Sequence, residues 1–249
     1  MTQERSLHTH EYNLLAPQCN AQHELAPPQL IQQIIDVATE HADKLGVGFR
    51  ELQSNDNSWV LSRVTFELNR FPRMFETYTL TTWIEGFNRL FSERNFEIRS
   101  ADGEIIGYVR SIWVAINSST RRPADLSQFA HLAETVADRP CPIEKQSKIR
   151  IPAQTPQIVN SYTFRVSDID LNRHVNSTRY IELILNQLEL ADYDENYLQR
   201  FEIEYKQEAL YGNTVEVTST QTDNGLVTAI THEGDTICLA RLIMKKRIN

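Results

Sequence analysis

The sequence predicts an α+β protein that contains two tandem repeats, each a long helix wrapped by an antiparallel β-sheet. Three observations support this prediction. Each half of the chain has one amphipathic helical pattern and then a series of runs typical of strands. The strand runs of the two halves can be overlaid on each other. A polar stretch that contains several prolines separates the halves.

The first repeat begins with a helix predicted over residues 28–45, where apolar side chains recur at helical spacing. The residues on this apolar face are Leu30, Ile31, Ile34, Ile35, Val37, Ala38 and Leu45. Runs rich in β-branched and aromatic residues follow and predict strands. They cover residues 59–69, 75–83, 91–100 and 105–117.

The second repeat follows the same order of elements. A helix is predicted over residues 175–188, with Tyr180, Ile181, Ile184, Leu185 and Leu188 on its apolar side. Strands are predicted at residues 201–208, 214–222, 226–233 and 236–246. A sheet of this kind needs a covering layer on its apolar face, and in each repeat the helix supplies it.

The overlay of the two halves sets the domain boundaries. The segment that starts at Arg63 lies over the one that starts at Arg200, which brings Phe71 to the place of Glu208. A second overlay brings Gly103 to the place of Gly234. The connecting stretch covers residues 117–157, and we place the boundary near residue 140. The predicted domains are therefore residues 1–140 and 141–249.

The composition excludes several classes of function. The net charge of −8 argues against a general nucleic-acid binder, which needs a basic surface. No apolar run approaches the roughly 20 residues that cross a bilayer, and the first residues lack a signal-peptide pattern, so we expect a cytoplasmic protein. The three cysteines have neither disulfide nor zinc spacing. No nucleotide-loop or paired-histidine motif is present, and we expect no metal or organic cofactor.

The most informative stretch is DIDLNRHVN at residues 168–176, just before the second helix. It carries an acid, an amide and an imidazole at alternate positions: Asp170, Asn172 and His174. A helix start adds unpaired backbone N–H groups and the positive end of the helix dipole. These groups together could bind and attack a polarised carbonyl. The alternative for Asp170 or Asn172 is simple helix capping, and for His174 a structural or surface role.

Three long motifs resemble the acyl-acyl carrier protein (acyl-ACP) thioesterases, which are double hotdog enzymes of plants and bacteria. DIDLNRHVNSTRYIELILNQL resembles their helix-start motif, and IEYKQEALYGNTVEV resembles the strand that follows. SERNFEIRSADGEIIGYVRSIWVAINSSTRRP resembles the sheet of their first repeat. The likeness covers roughly residues 10–245. It implies two tandem hotdog repeats and hydrolysis of fatty acyl-ACP to free fatty acid.

The resemblance also implies a catalytic set made of Asp170, Asn172, His174 and Glu208. In plant members a cysteine follows the glutamate, and this chain has Ala209 at that position. A cysteine nucleophile at this position is therefore not required if the family shares one mechanism.

We assign expected roles to these four residues. Glu208 is the general base and projects from a strand, and Asn172 donates its amide to the carbonyl or positions water. His174 hydrogen-bonds the reacting group, and Asp170 orients His174 or Asn172. The roles of Asp170 and Glu208 could be exchanged, and a covalent anhydride through either carboxylate is chemically possible. Because Phe71 replaces Glu208 in the first repeat, we expect that half to be non-catalytic and to line the acyl chain.

The expected partner is acyl carrier protein with its fatty acyl phosphopantetheine, with no nucleic-acid or membrane partner. Arg121 and Arg122 could meet its acidic surface, or could simply belong to a solvated loop. Both a monomer and a homodimer are open. Two other functions are also open: a hotdog 3-hydroxyacyl dehydratase, which could use one His and one Glu, and a non-catalytic acyl-binding module.

Overall fold

The structure is a computed structural model that describes residues 6–152 and 158–247. It divides into two compact units at Lys145/Gln146. The last residues of the predicted connecting stretch, 153–157, lie outside the described residues. Within the described residues, no helix is long and apolar enough to cross a bilayer.

The first unit is an antiparallel sheet with one long helix. Its strands follow the order β1-β3-β4-β5-β2 across the sheet. The strands are β1 (Leu7–Asn13), β2 (Asn57–Leu68), β3 (Thr77–Phe87), β4 (Phe91–Ser100) and β5 (Ile105–Asn117). The helices are α1 (Pro27–Lys44) and the short α2 (Phe49–Gln53), and 3₁₀ turns lie at Ala16–Gln18 and Leu126–Thr135.

Helix α1 forms because its sequence combines a favourable start with one apolar face. Pro27 and Pro28 occupy its first turn, where the missing N–H groups would have no intrahelical acceptor. Leu30, Ile31 and Ile34 are fully buried, and the helix packs on β1 and β3. Burial of each such side chain stabilises the unit by about 1.5–3 kcal/mol before entropy is counted. The predicted helix over residues 28–45 is confirmed.

The second unit repeats this arrangement with shorter elements. Its strands follow the order β7-β10-β9-β8-β6. They are β6 (Ile158–Thr163), β7 (Asn196–Tyr205), β8 (Thr214–Thr222), β9 (Gly225–His232) and β10 (Asp235–Lys246). The helices are α3 (Ser177–Leu185) and α4 (Leu190–Glu195), and a 3₁₀ turn lies at Val166–Asp168. The predicted α+β class, with a helix and an antiparallel sheet in each of two repeats, is confirmed.

Several element bounds differ from the sequence prediction. Helix α3 is shorter than residues 175–188 because Asn176 caps its start, with its Oδ1 accepting a hydrogen bond from the Thr178 N–H. Strand β7 ends at Tyr205 and not at Glu208. Strands β1 and β6 lie outside the predicted set. Both are at a sheet edge, and β1 has no fully buried residue to produce an apolar pattern.

The two units share their turns as well as their elements. Gly103 and Gly234, which the sequence overlay pairs, both have a left-handed backbone, with φ of 93° and 88°. The loop after β2 and the loop after β7 also match. Phe75 N–H donates to Leu14 O at 2.8 Å, and Gly212 N–H donates to Phe164 O at 3.0 Å. Phe75 has φ of 70°, a conformation that is costly for a residue with a Cβ.

We expect Phe75→Gly to stabilise the protein by about 0.5–1 kcal/mol. A left-handed backbone costs a non-glycine residue about 1–2 kcal/mol, and glycine removes this cost. Glycine also loses more chain entropy on folding, which offsets the gain by about 0.5–1 kcal/mol. The Phe75 side chain is 69% exposed, so little packing is lost. Thermal unfolding should show a rise in Tm of about 1–4 °C.

The matched control is Gly212→Ala, at the equivalent position of the second unit. A Cβ there would meet no atom within 4 Å, so the expected fall in Tm reports backbone strain alone. A lower Tm for Phe75→Gly would contradict this account of the loop.

Candidate active site

Residues 170–174 form a tight turn that precedes α3. Ile169 and Val175 pair as an isolated antiparallel bridge on either side of it. Asp170 N–H donates to His174 O at 2.8 Å, and Arg173, with φ of 66°, donates its N–H to Asp170 O at 3.0 Å. The turn therefore fixes the backbone of the polar residues before the helix begins.

The Asp170 carboxylate holds this turn together. Its Oδ1 accepts hydrogen bonds from the backbone N–H groups of Asn172 at 2.8 Å and of His174 at 3.2 Å. This is the arrangement by which short acidic and amide side chains stabilise turns. The helix cap is Asn176, so the capping alternative for Asp170 or Asn172 is wrong. Asp170 contacts the backbone of the two residues that it was expected to orient.

Glu208 lies in the loop after β7, so the expectation that it projects from a strand is wrong. The backbone N–H groups of Lys206 and Gln207 both point to Ile237 O, at 2.9 and 3.2 Å, which ends the regular strand pairing. The chain then approaches the turn, where Val175 N–H donates to Ala209 O at 2.9 Å. This bond places the loop that carries Glu208 beside the turn that carries His174.

The side chains of His174 and Glu208 meet. His174 Nε2 lies 3.4 Å from Glu208 Oε2. The Glu208 side chain is 36% exposed and that of His174 is 21% exposed, so the carboxylate can reach water while the imidazole is largely covered. Within the described residues, His174 Nδ1 is buried and has no hydrogen-bond partner. A neutral imidazole that donates from Nε2 to Glu208 would present Nδ1 as an acceptor.

The structure thus brings all four predicted residues together: Asp170 bonds the backbone of Asn172 and of His174, and the His174 side chain meets Glu208. Asn172 is on the same turn, and its side chain is exposed and makes no hydrogen bond with the described part of the chain. It is free to contact a bound molecule. The Thr178 N–H at the helix start is already bonded to Asn176, so the amide groups of that start are only partly available.

The first unit contains the same turn with different chemistry. Asn20 Oδ1 accepts hydrogen bonds from the N–H groups of Gln22 and Glu24, both at 3.0 Å. Asn20 N–H donates to Glu24 O at 2.8 Å, as Asp170 does to His174. Glu24 occupies the place of His174. The turn is therefore part of the fold of each repeat, and an amide oxygen can hold it as well as a carboxylate.

The loop that carries Phe71 in the first unit also matches the loop that carries Glu208 in the second. Leu25 N–H donates to Pro72 O at 2.9 Å, as Val175 N–H does to Ala209 O. This bond confirms the overlay that places Phe71 where the second unit has Glu208. Phe71 is buried and packs edge-to-face on Phe66, with ring centroids 6.0 Å apart. The first unit therefore has a packed aromatic ring where the second has an acid.

Two buried residues next to the turn are not in the predicted set. Asp168 Oδ2 accepts hydrogen bonds from Tyr162 Oη at 3.0 Å and from the Arg165 N–H at 2.6 Å. Tyr180 Oη accepts a hydrogen bond from the Ala209 N–H at 3.0 Å. The sequence showed Tyr180 only as part of an apolar helix face, and Asp168 only as the first residue of the polar motif. Their contacts depend on residues distant in the chain or on the shape of the turn.

Comparison with solved structures identifies the fold. An acyl-ACP thioesterase from Bacteroides thetaiotaomicron is 32% identical, with a TM-score of 0.88 over 98% of this chain and 100% of that one. The 12:0-ACP thioesterase from Umbellularia californica is 18% identical and shares the fold, with a TM-score of 0.87 over 97% and 98% of the two chains. Both support the predicted double hotdog architecture.

Family models give the same result over most of the sequence. The acyl-ACP thioesterase N-terminal domain matches residues 5–129, and the acyl-ACP thioesterase C-terminal domain matches residues 152–246. The chain therefore belongs to the acyl-ACP thioesterase family. The resemblance found in the sequence motifs is confirmed.

Curated relatives are chloroplastic plant proteins. An acyl-[acyl-carrier-protein] hydrolase from Cuphea viscosissima is 27% identical over 194 residues, which cover 73% of this chain and 47% of the relative. An oleoyl-acyl carrier protein thioesterase from Arabidopsis thaliana is 26% identical over 186 residues, which cover 70% of this chain and 50% of the relative. The chain spans about half the length of these relatives.

We expect Asp170→Asn to leave stability near that of the wild type and Asp170→Ala to reduce it by about 1–2 kcal/mol. An amide oxygen can accept the same two hydrogen bonds, as Asn20 does in the first unit, whereas alanine leaves two backbone N–H groups without an acceptor. Chemical denaturation of both variants measures the difference.

Asn20→Asp is the matched control for this pair and should also leave stability unchanged. Equal losses for Asp170→Asn and Asp170→Ala would show that the charge of Asp170, and not its oxygen geometry, holds the turn.

Proposed function

We propose that this chain hydrolyses fatty acyl-ACP thioesters to free fatty acid and ACP. One observation carries the proposal: Glu208 Oε2 lies 3.4 Å from His174 Nε2, beside the turn that Asp170 holds. An acid and an imidazole at this distance are suited to moving protons. Membership of the acyl-ACP thioesterase family, and relatives named as acyl carrier protein hydrolases, support the choice of substrate.

The chemistry of a thioester suits such a pair. A thiol has a pKa of about 8.5, so the leaving thiolate needs less help than an amine. The enzyme must mainly activate water and stabilise the oxyanion. Glu208 takes a proton from water as the water oxygen attacks the carbonyl carbon. Collapse of the tetrahedral intermediate breaks the C–S bond, and the leaving thiolate accepts the proton that Glu208 took from water, which restores the carboxylate.

The remaining polar residues have supporting roles in this proposal. Asn172 donates its exposed amide to the carbonyl oxygen, and His174 orients the Glu208 carboxylate through Nε2. Asp170 is a positioning residue, because one of its oxygens is used by two backbone N–H groups. This favours Glu208 over Asp170 as the base.

The proposal gives the two units different tasks. The second unit carries the proton-transfer residues. The first unit, with Phe71 in the place of the acid, is non-catalytic. Its turn retains the backbone geometry but has Glu24 where the second unit has an imidazole.

We expect Glu208→Gln to reduce thiol release from acyl-ACP by about 10²–10⁴-fold, the usual contribution of a general base. Glutamine keeps the shape of the side chain and cannot accept the proton. Circular dichroism should show an unchanged fold. Glu216→Gln, an exposed substitution on β8, is the control and should retain wild-type turnover.

Near-normal turnover of Glu208→Gln would remove Glu208 from the base role. The same assay separates the alternative functions. A dehydratase would change the acyl group and leave the thioester intact, so no free thiol would appear. An acyl-binding module would bind acyl-ACP without turnover and would not be affected by changes at Glu208.

We expect acyl-ACP to be hydrolysed with a higher kcat/KM than acyl-CoA of the same chain length. The carrier protein offers an acidic surface that Arg121 and Arg122 can meet, whereas coenzyme A offers only its own phosphates. A panel of acyl-ACPs and acyl-CoAs of graded length, assayed for thiol release, measures both carrier and chain-length preference. His174→Ala is the background control, and equal kcat/KM values for the two carriers would contradict a carrier-specific role.

A further inference from the structure

We propose that Tyr180 is a positioning residue that holds Glu208 beside His174 through the backbone amide of Ala209. This assignment rests on the proposed hydrolase function, and it concerns a buried residue that bonds the backbone next to Glu208.

The hydrogen bond reaches the backbone of Glu208 directly. Tyr180 Oη accepts from Ala209 N–H at 3.0 Å, and Ala209 is fully buried. The Ala209 nitrogen belongs to the same planar peptide unit as the Glu208 Cα. Val175 N–H donates to Ala209 O on the other side. Both backbone groups of Ala209 are therefore bonded to the segment that carries His174, which sets where the Glu208 side chain starts.

The phenol ring cannot easily move away from this position. Tyr180 is 3% exposed. Its ring lies 5.7 Å from that of Phe164 and 5.8 Å from that of Tyr205, the latter edge-to-face. Tyr205 is fixed in turn because its Oη donates to Ser177 O at 3.1 Å. The acceptor of the Ala209 N–H is thus part of a packed aromatic group and not a mobile surface side chain.

The electrostatic setting keeps Tyr180 protonated. Burial is the largest cause that raises the pKa of Tyr180, and the nearby carboxylates of Glu208 and Asp170 raise it further. The phenol therefore accepts from Ala209 while it retains its own proton. Within the described part of the chain, no acceptor is bonded to that proton.

The first unit shows that the fold does not need this bond. The residue at the place of Tyr180, the fourth of its helix, is Leu30. The residue at the place of Ala209 is Pro72, which has no N–H to satisfy. The other bond of the loop is retained, because Leu25 N–H donates to Pro72 O at 2.9 Å. The phenol–amide bond therefore occurs in the unit that carries the acid and is replaced by an apolar pair in the unit that does not.

The test is Tyr180→Phe in the full-length protein, assayed for thiol release from acyl-ACP. We expect kcat to fall about 10- to 100-fold, the range expected when a reacting group is misplaced by up to 1 Å. KM should stay within about twofold of the wild type, because Tyr180 does not contact substrate. The same substitution in a Glu208→Gln background should cause no further loss, since Tyr180 acts through Glu208.

The control is Tyr78→Phe, which removes another buried phenol, one that donates to Gln33 Oε1 at 2.8 Å in the first unit. We expect its kcat to match the wild type. Should Tyr180→Phe fail to fold, Tyr180→Leu combined with Ala209→Pro copies the apolar pair of the first unit and leaves no orphaned N–H. This double variant should be folded and should have a reduced kcat.

The outcomes separate the two proposals. An inactive wild-type protein would overturn the proposed function. An active wild type with an unchanged kcat for folded Tyr180→Phe, or for the folded double variant, would overturn the positioning role alone. A loss that is equally large in the wild-type and Glu208→Gln backgrounds would also overturn it, because it would show that Tyr180 acts independently of Glu208.

Discussion

One backbone hydrogen bond organises the site. The Val175 N–H donates to Ala209 O at 2.9 Å and joins two segments that are far apart in sequence. One segment carries the imidazole and the other carries the acid. Two side chains add to this contact. Asp170 bonds the backbone of the segment that carries His174, and Tyr180 bonds the backbone of the segment that carries Glu208. Such a bond is worth little by itself, about 0.5–1.5 kcal/mol, but it determines which side chains can meet.

The internal repeat separates what the fold requires from what the chemistry requires. Both units have the short turn before the helix, a side-chain oxygen that accepts two N–H groups, and a loop bonded to the turn. These features recur with different side chains, so they belong to the fold. The first unit has Glu24, Phe71 and Leu30 at the places of the second unit's imidazole, acid and phenol. The three groups of the second unit form a connected set, which is how a functional site on a shared scaffold is expected to differ from its structural copy.

Much of the fold could be predicted from the sequence because its strongest signals are local. The periodicity of α1 and the strand runs of both repeats depend on neighbouring residues. The edge strands β1 and β6 carry weaker patterns, because β1 lacks a fully buried residue. Among site residues, Asp170, Asn172 and His174 could be found from their spacing before a helix start, whereas Glu208 was found only through the family motif. Tyr180 and the end of β7 at Tyr205 depend on contacts between distant segments, which no single stretch of sequence reports.

The turn of the first unit has a consequence for how this chain can diverge. Asn20 preserves a backbone arrangement whose side chains at Gln22 and Glu24 have no part in the proposed hydrolysis. The fold requires of that turn only one side-chain oxygen that accepts two N–H groups, and an amide supplies it as well as a carboxylate. The first unit therefore retains the backbone geometry of the turn without the imidazole and the acid of the second unit. A catalytic group introduced in place of Glu24 would inherit this backbone geometry, and it would have to fit a buried position.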